Sequence, residues 1–169
     1  TFTPGPTPGI LDWFTVLVGA LSVTILAVHG AHFLIIKTES AVHDRASRIA
    51  HTGVWTVMLL AMVAISLAPS VQPTLWHRYD AHPVGFVLPL IAVVAGATTL
   101  ACRRHGWDGA VFLSWSLFIL GLFGSVAWGL FPNLLMATGN PAYSLTIHNS
   151  AASPDGLQLG LVWFPIGIS

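Results

Sequence analysis

Charged side chains are the scarcest chemistry in this sequence. Asp, Glu, Lys and Arg make up only 7% of its 169 residues, whereas a soluble domain usually has about 25%. Because 54% of the residues are hydrophobic and the mean hydropathy is +0.78, most of the chain must face lipid or other apolar side chains. The formal net charge is zero, which argues against nucleic acid as a partner, because binding it requires a basic patch that neutralises phosphates.

Cysteine is nearly absent as well. The single thiol, Cys102, excludes an intrachain disulfide, so the fold must depend on helix packing. A lone cysteine is most often a small buried hydrophobe. Residues 1–10 contain neither a Met start nor a basic segment, so no signal peptide is visible there. We expect an extended loop leading into a helix, in a chain that begins partway through a longer protein.

Four long apolar stretches account for most of the sequence. Their predicted limits are about Ile10 to Ile36, Ile49 to Leu67, Val84 to Ala101, and Gly109 to Leu130. At about 1.5 Å per residue, the first is long enough to cross a hydrocarbon core of about 30 Å with some tilt. A fifth helix is predicted from Ser153, which can cap it, but the remaining residues form roughly 22 Å of helix, too short to span.

Short connections between the stretches predict an up-down order. The expected fold is therefore all-α, a single transmembrane helical bundle over residues 1–169 with four spans and the start of a fifth. The charged segment from Thr38 to His51 has no Pro or Gly and is expected to continue helically into the second span. Small residues would let the helices approach closely, namely Gly19, Ala20, Gly53, Gly96, Gly121 and Gly124.

The few cations predict an orientation. Five of the six Lys and Arg residues lie in loops 37–48 and 102–108, and the sixth is Arg78. By the positive-inside rule these two loops, including Cys102, are predicted to be cytoplasmic. Tryptophan prefers membrane interfaces, and its distribution agrees, with Trp13, Trp76 and Trp128 near the outer face and Trp107 near the inner face.

Histidine is the most plentiful residue that could carry chemistry, with eight copies. His29 and His32 share one face of the first span, and His51 lies at a similar inner depth near the second. Imidazoles on facing helices can hold haem, so a cytochrome b-like electron carrier is one interpretation. A dihaem bundle would need a second histidine pair at the outer level, which the sequence lacks. The simpler interpretation is that these imidazoles hydrogen-bond to their neighbours.

The other histidines are predicted to lie outside the spans. His43 falls in the charged segment, and His77, His82, His105 and His148 fall in loops. The segment from Trp76 to His82 has two His and one Asp, but no Cys or repeated ligand spacing, so a surface loop is expected rather than a metal site.

No catalytic, cofactor-binding or metal-ligating residue is therefore assigned. No carboxylate lies at mid-membrane, so a proton relay built from the chain's own acids is unsupported. A transporter, the other alternative function, would need broken helices, and Pro89 in the third span is the one such break, near its outer end.

Three stretches resemble subunit II of the cytochrome bd quinol oxidases, a family that includes the cyanide-insensitive oxidases. The segment Leu26–Glu39, with its His-Gly-Ala and Lys-Thr-Glu motifs, is similar to one of the family's helix ends. Phe131-Pro132-Asn133 followed by Pro141–Pro154 resembles its outer loop, and Gly9–Phe14 its loop before the fifth helix. The resemblance covers nearly the whole chain but only the family's second half. Ser40 stands where the family often has Gly, and His148 where Tyr or Trp is common.

The resemblance implies a scaffold subunit without haem of its own. Haem b, haem d and the quinol site are expected on a partner, subunit I, in a complex that oxidises quinol and reduces dioxygen to water in the respiratory chain. The expected location is the bacterial cytoplasmic membrane. Lipid, quinone and small single-span subunits are further expected partners. The family's intramembrane acids lie in the half that this chain does not cover, so no site residue is carried over.

Overall fold

The computed structural model describes residues 12–71, 74–135, 137 and 141–168. Its helices are α1 (Trp13–Lys37), α2 (Ser40–Val71), α3 (Thr74–Ala81), α4 (Val87–Arg104), α5 (Asp108–Leu130) and α6 (Pro154–Ile168). Two strands, β1 (Asn133–Leu135) and β2 (Leu145–Thr146), and two 3-10 turns, Pro83–Phe86 and Pro141–Tyr143, complete the described elements. The predicted all-α class is confirmed, while the predicted leader 1–10 lies outside the described residues.

Two compact units make up the chain, divided after Gly129. In the first unit four segments are long and apolar enough to cross a membrane: Trp13–Lys37, Ser40–Val71, Pro83–Arg104 and Asp108–Leu130. The four predicted spans are thereby confirmed. The charged segment is helical, as expected, so α2 begins at Ser40. It also passes Pro69, where the sequence predicted a stop, because a proline in the last turn removes only one hydrogen bond there.

Local side chains define the ends of α1. The backbone N–H of Thr15 donates to Asp12 Oδ1 over 2.7 Å, which caps the helix and lowers the pKa of Asp12. At the other end Thr38 Oγ1 donates to the Leu34 carbonyl at 2.7 Å. Ser40 then takes φ 57°, in the left-handed region. This backbone conformation favours glycine. Glycine is also common at this position in the oxidase subunit family that the sequence resembles.

Four helices of the first unit form a closed antiparallel bundle. Helix α1 contacts α2 through Val28 and Gly53, and α2 meets α4 where Met58 lies against Gly96. Helix α5 lies against α1 through the rings of His32 and Trp115. The buried core comprises Leu21, Ile25, Val28, Val54, Val57, Ala61, Ala64, Ala92, Ala95, Trp115 and Phe118.

Helices α4 and α5 approach each other closely at Gly121. A Cβ atom placed there would lie 2.7 Å from the Ala92 nitrogen and 3.0 Å from the Leu88 carbonyl oxygen, both in the backbone of α4. Gly53, Gly96 and Gly124 also face neighbouring helices, as predicted: their built Cβ atoms meet Val28, Met58 and Leu88, respectively. Among the described residues no close helix approach is found at Gly19, where nothing lies within 4 Å of a built Cβ, or at Ala20, which is exposed.

Helix α3 replaces the surface loop predicted between Trp76 and His82. The hydroxyl of Tyr79 donates to the Ser125 carbonyl on α5 at 2.7 Å, and burial raises the pKa of this phenol. The Arg78 guanidinium carbon lies 5.3 Å from the centre of the Trp128 ring. The segment contains neither Pro nor Gly, and packing on α5 stabilises a helix too short to persist alone.

The second unit contains a hairpin and the predicted last helix. Strands β1 and β2 pair antiparallel with a register shift, within a segment that the sequence predicted as loop. The Asn149 side chain holds the turn: its Oδ1 accepts from the Thr146 N–H at 2.6 Å and its Nδ2 donates to the Ser144 carbonyl at 2.9 Å. At the start of α6 the Gly156 N–H donates to Ser153 Oγ at 3.3 Å, which confirms the predicted cap.

Replacing Gly121 with Ala should destabilise the bundle. The added methyl group collides with backbone atoms that cannot rotate away, and such overpacking costs about 1 to 3 kcal/mol. We expect a lower melting temperature in detergent, followed by tryptophan fluorescence. Gly19→Ala is the matched control, because open space surrounds that position. An unchanged melting temperature for Gly121→Ala would contradict the close approach of α4 and α5.

Candidate functional site

The two histidines of α1 pack against aromatic rings of α5. The ring of His29 stacks on Phe112 with centroids 4.8 Å apart, and His32 meets Trp115 edge-on at 5.5 Å. His32 is only 2% exposed. Neither of its ring nitrogens, nor Nδ1 of His29, has a hydrogen-bond partner among the described residues. The expected hydrogen bonds to neighbours are therefore absent at these atoms.

Two opposing energies act on the His32 imidazole. Its contact with an aromatic ring contributes about 0.5 to 1.5 kcal/mol beyond the buried area. Burying a polar group without a hydrogen bond costs about 1 to 3 kcal/mol, which is of the same order. The imidazole is held in place by its neighbours rather than by bonds of its own.

His51 belongs to a different part of the bundle. It is exposed on α2 and lines a cleft of about 210 Å³ together with Trp55, Leu100, Arg103 and Arg104. The structure brings His29 and His32 together against α5, whereas it places His51 beside the end of α4.

A metal centre has no support in residues 12–71, 74–135, 137 and 141–168. No group of three His, Cys, Asp or Glu side chains in these ranges could hold an ion. His77 and Asp80 lie on α3 with exposed side chains, and His82 follows the helix, also exposed. These three side chains therefore lie on an exposed surface of the chain.

Helix α4 is not broken at Pro89. The residue lies in the first turn, and the helix continues without interruption from Val87 to Arg104. A proline in a first turn forfeits no intrahelical hydrogen bond. The discontinuous helix that a transporter would require is thus not found in this span.

A buried hydroxyl pair joins α4 to α5. Thr99 Oγ1 and Ser114 Oγ lie 2.9 Å apart, and each oxygen is also within hydrogen-bond distance of a carbonyl of its own helix, Ala95 or Val111. Because each hydroxyl has one proton, the hydroxyl that donates across the pair leaves its own carbonyl contact unmade. Polar contacts of this kind between membrane helices are worth about 0.6 kcal/mol on average. The sequence analysis missed this pair, because nothing in the order of residues shows which faces of two helices meet.

An apolar groove runs between α2, α4 and α5. Its volume is about 540 Å³, and α3 covers one end with Trp76 and Tyr79. Almost all its lining is hydrocarbon, represented by Met58, Ile65, Pro89, Gly96, Ala97 and Phe118. Leu100 lines both this groove and the basic cleft of His51, Arg103 and Arg104, so the two cavities lie next to each other.

Comparison with known proteins places the chain in a family. The family described as "Cytochrome bd terminal oxidase subunit II" matches residues 2–169. A Haemophilus influenzae protein named "Probable cytochrome oxidase subunit 2" is 27% identical, over 91% of this chain and 47% of that protein. The Bacillus subtilis "Cytochrome bd ubiquinol oxidase subunit 2" is 23% identical, over 85% of this chain and 42% of that protein.

The chain spans about half the length of the curated relatives that it matches. Its four apolar helices make it an integral membrane protein. Since the family match extends over nearly every residue, the chain belongs to the cytochrome bd terminal oxidase subunit II family.

Proposed function

We propose that this chain forms part of the scaffold subunit of a quinol oxidase that oxidises quinol and reduces dioxygen to water. The observation that carries the proposal is the family match over residues 2–169. In this proposal subunit I of the complex holds haem b, haem d and the quinol site, and the present chain binds no haem.

The histidine environments support a haem-free role. Haem ligation needs an imidazole nitrogen that faces open space, often with a second imidazole opposite. His32 is enclosed in the core against Trp115, and His29 stacks on Phe112. His51 lies in a separate cleft beside α4. The three candidates therefore do not converge on one site.

The outer faces of the bundle support the scaffold role. Long apolar side chains remain exposed along the spans, among them Val93 at 69%, Leu113 at 70% and Leu120 at 67%. In a bilayer such faces pack on lipid or on the helices of another subunit without any penalty for exposure to water. The helices also satisfy their own backbone groups, so a partner gains a preformed apolar surface.

We further propose that the basic segments 37–48 and 102–108, which contain the adjoining ends of α1 and α2 and of α4 and α5, face the cytoplasm of a bacterium. The positive-inside rule motivates the assignment. The cleft supports it, because Arg103 and Arg104 on α4 lie beside His51, in the first half of α2. The basic ends of these helices therefore share one end of the bundle.

Co-purification tests the complex. When the full-length protein that contains this segment is tagged and purified from mild detergent, a haem-bearing chain should accompany it in stoichiometric amount. Omitting that chain from the expression host should lower the accumulation of the tagged protein, since apolar packing faces lose their partner helices. Equal amounts of folded, monodisperse protein with and without the haem-bearing chain would contradict the scaffold role.

Thiol labelling tests the orientation. Cys102 is buried and makes a poor reporter, so the labels belong on exposed positions in a Cys102→Ala background. We expect Tyr143→Cys to react with an impermeant maleimide in intact spheroplasts. His105→Cys, also exposed, should react only after permeabilisation. The opposite pattern would reverse the proposed orientation.

Haem content tests the role of the α1 histidines. Replacing His29 and His32 with Gln, singly and together, keeps hydrogen-bonding capacity while removing imidazole ligation. Reduced-minus-oxidised spectra of the purified complex, normalised to protein, should stay unchanged for every variant. Loss of one haem band from a complex that still assembles would favour the cytochrome b-like alternative instead.

A further inference from the structure

A basic cleft and an apolar groove share Leu100 as a lining residue, and together they have the chemistry of a lipid site. One cavity carries Arg103, Arg104 and His51, and the other is lined almost entirely by hydrocarbon. A molecule that fills both must be charged at one end and apolar along the rest. Membrane lipids are amphiphiles of this form, and this cavity pair lies within the membrane-spanning part of the bundle.

The basic end suits a phosphate group. Among the described residues that line the cleft there is no carboxylate, so the two guanidinium groups face a space that suits another anion. Guanidinium groups bind phosphate oxygens through two parallel hydrogen bonds. Trp55 adds an indole of the kind that prefers the headgroup level. Basic pockets of this type between membrane helices bind anionic lipid headgroups.

The apolar end suits a hydrocarbon chain. From Leu100 to Pro89 the groove follows α4 for about 16 Å. A cavity of about 150 Å³ holds one benzene molecule, so on that scale about 540 Å³ has room for roughly twenty carbon atoms. The volume of the groove is therefore sufficient for one acyl chain.

We propose that an anionic phospholipid occupies both cavities, with its phosphate between Arg103 and Arg104 and one acyl chain in the groove. A quinone could also supply a long hydrocarbon tail. Its neutral ring would leave the two guanidinium charges without a counter-ion, whereas a phosphodiester neutralises charge there. The proposal concerns this chain's own surface and does not depend on where the haems of the complex lie.

Photolabelling tests where the lipid lies. The full-length protein, with the chains that purify with it, is placed in phosphatidylcholine nanodiscs that contain a minor fraction of phosphatidylglycerol with a diazirine on its acyl chain. After illumination, labelled peptides should contain groove residues such as Met58, Ala97 and Phe118. A phosphatidylcholine probe with the same diazirine should label them far less.

Charge substitution tests the headgroup site. Arg103→Gln with Arg104→Gln should weaken phosphatidylglycerol retention about thirtyfold, since each cation near an anionic lipid surface contributes about a factor of five. Native mass spectrometry of the released complex counts the retained lipid. The matched control is Arg45→Gln with Arg48→Gln, which removes two exposed cations from loop 37–48 without touching the cleft.

Filling the groove tests the chain site independently of charge. Ala97 lines the groove and is exposed, so Ala97→Phe should place a ring in the chain's path and reduce acyl-chain labelling at least fivefold. Val94 is exposed on the same helix but does not line the groove, so Val94→Phe should leave labelling unchanged. Haem spectra and elution volume verify that each variant complex assembles.

Three results would overturn the proposal. The first is equal retention of phosphatidylglycerol by the Arg103 and Arg104 double variant and the unsubstituted protein. The second is labelling confined to peptides outside the groove, which would mean that the cavity is filled by protein. The third is extraction of an isoprenoid quinone from the site in place of phospholipid, which would mean that the isoprenoid chain of a quinone occupies the groove.

Discussion

A bilayer offers a peptide group nothing to hydrogen-bond with, and this constraint shapes every span of the chain. An unpaired backbone group in hydrocarbon costs several kcal/mol, so only segments that satisfy themselves can cross. The four spans do so as continuous helices. Hydroxyl side chains follow the same rule by donating to the backbone carbonyl one turn earlier. The residues that do so in the spans are Ser22, Thr24, Thr56, Ser66, Thr98, Thr99, Ser116 and Ser125.

Because each helix satisfies its own hydrogen-bonding groups, the helices associate through surfaces of complementary shape. Lipid tails are as apolar as leucine, so burial from water cannot drive their association. Complementary surfaces are found instead where Gly121 contacts the backbone of α4 and where Met58 packs against Gly96. The same principle explains why the groove between α2, α4 and α5 remains: the small residues Ala61, Gly96 and Ala97 do not fill it. A space of that kind in a bilayer is suited to a lipid chain.

Much of the fold could be predicted because hydropathy and cation placement are local properties of the sequence. The four spans and the capped helix after Ser153 follow from single windows of residues. Helix α3 and the β1–β2 hairpin could not be predicted in this way. The first depends on Tyr79 reaching Ser125, which lies 46 residues later, and the second depends on the Asn149 side chain.

The candidate site was less accessible to sequence reasoning. Histidine spacing correctly placed His29 and His32 on a common face, but it could not show that Phe112 and Trp115 cover that face. Nor could it show that Leu100 joins two cavities, since the residues lining them come from separate helices. In the sequence, Arg103 and Arg104 predict only the orientation of the chain in the membrane. Their role in a cleft emerges only when α2 and α4 are brought side by side.

The short links at the basic end have a consequence for the order of assembly. Only Thr38 and Glu39 separate α1 from α2, and residues 105–107 separate α4 from α5. Closing such short loops costs little entropy, and local contacts form faster than distant ones. The bundle is thus two helical hairpins that can each form as a unit, and the α2–α4 side is a seam between them. The apolar groove follows that seam. A bound hydrocarbon chain would therefore contact both helical hairpins and stabilise their association.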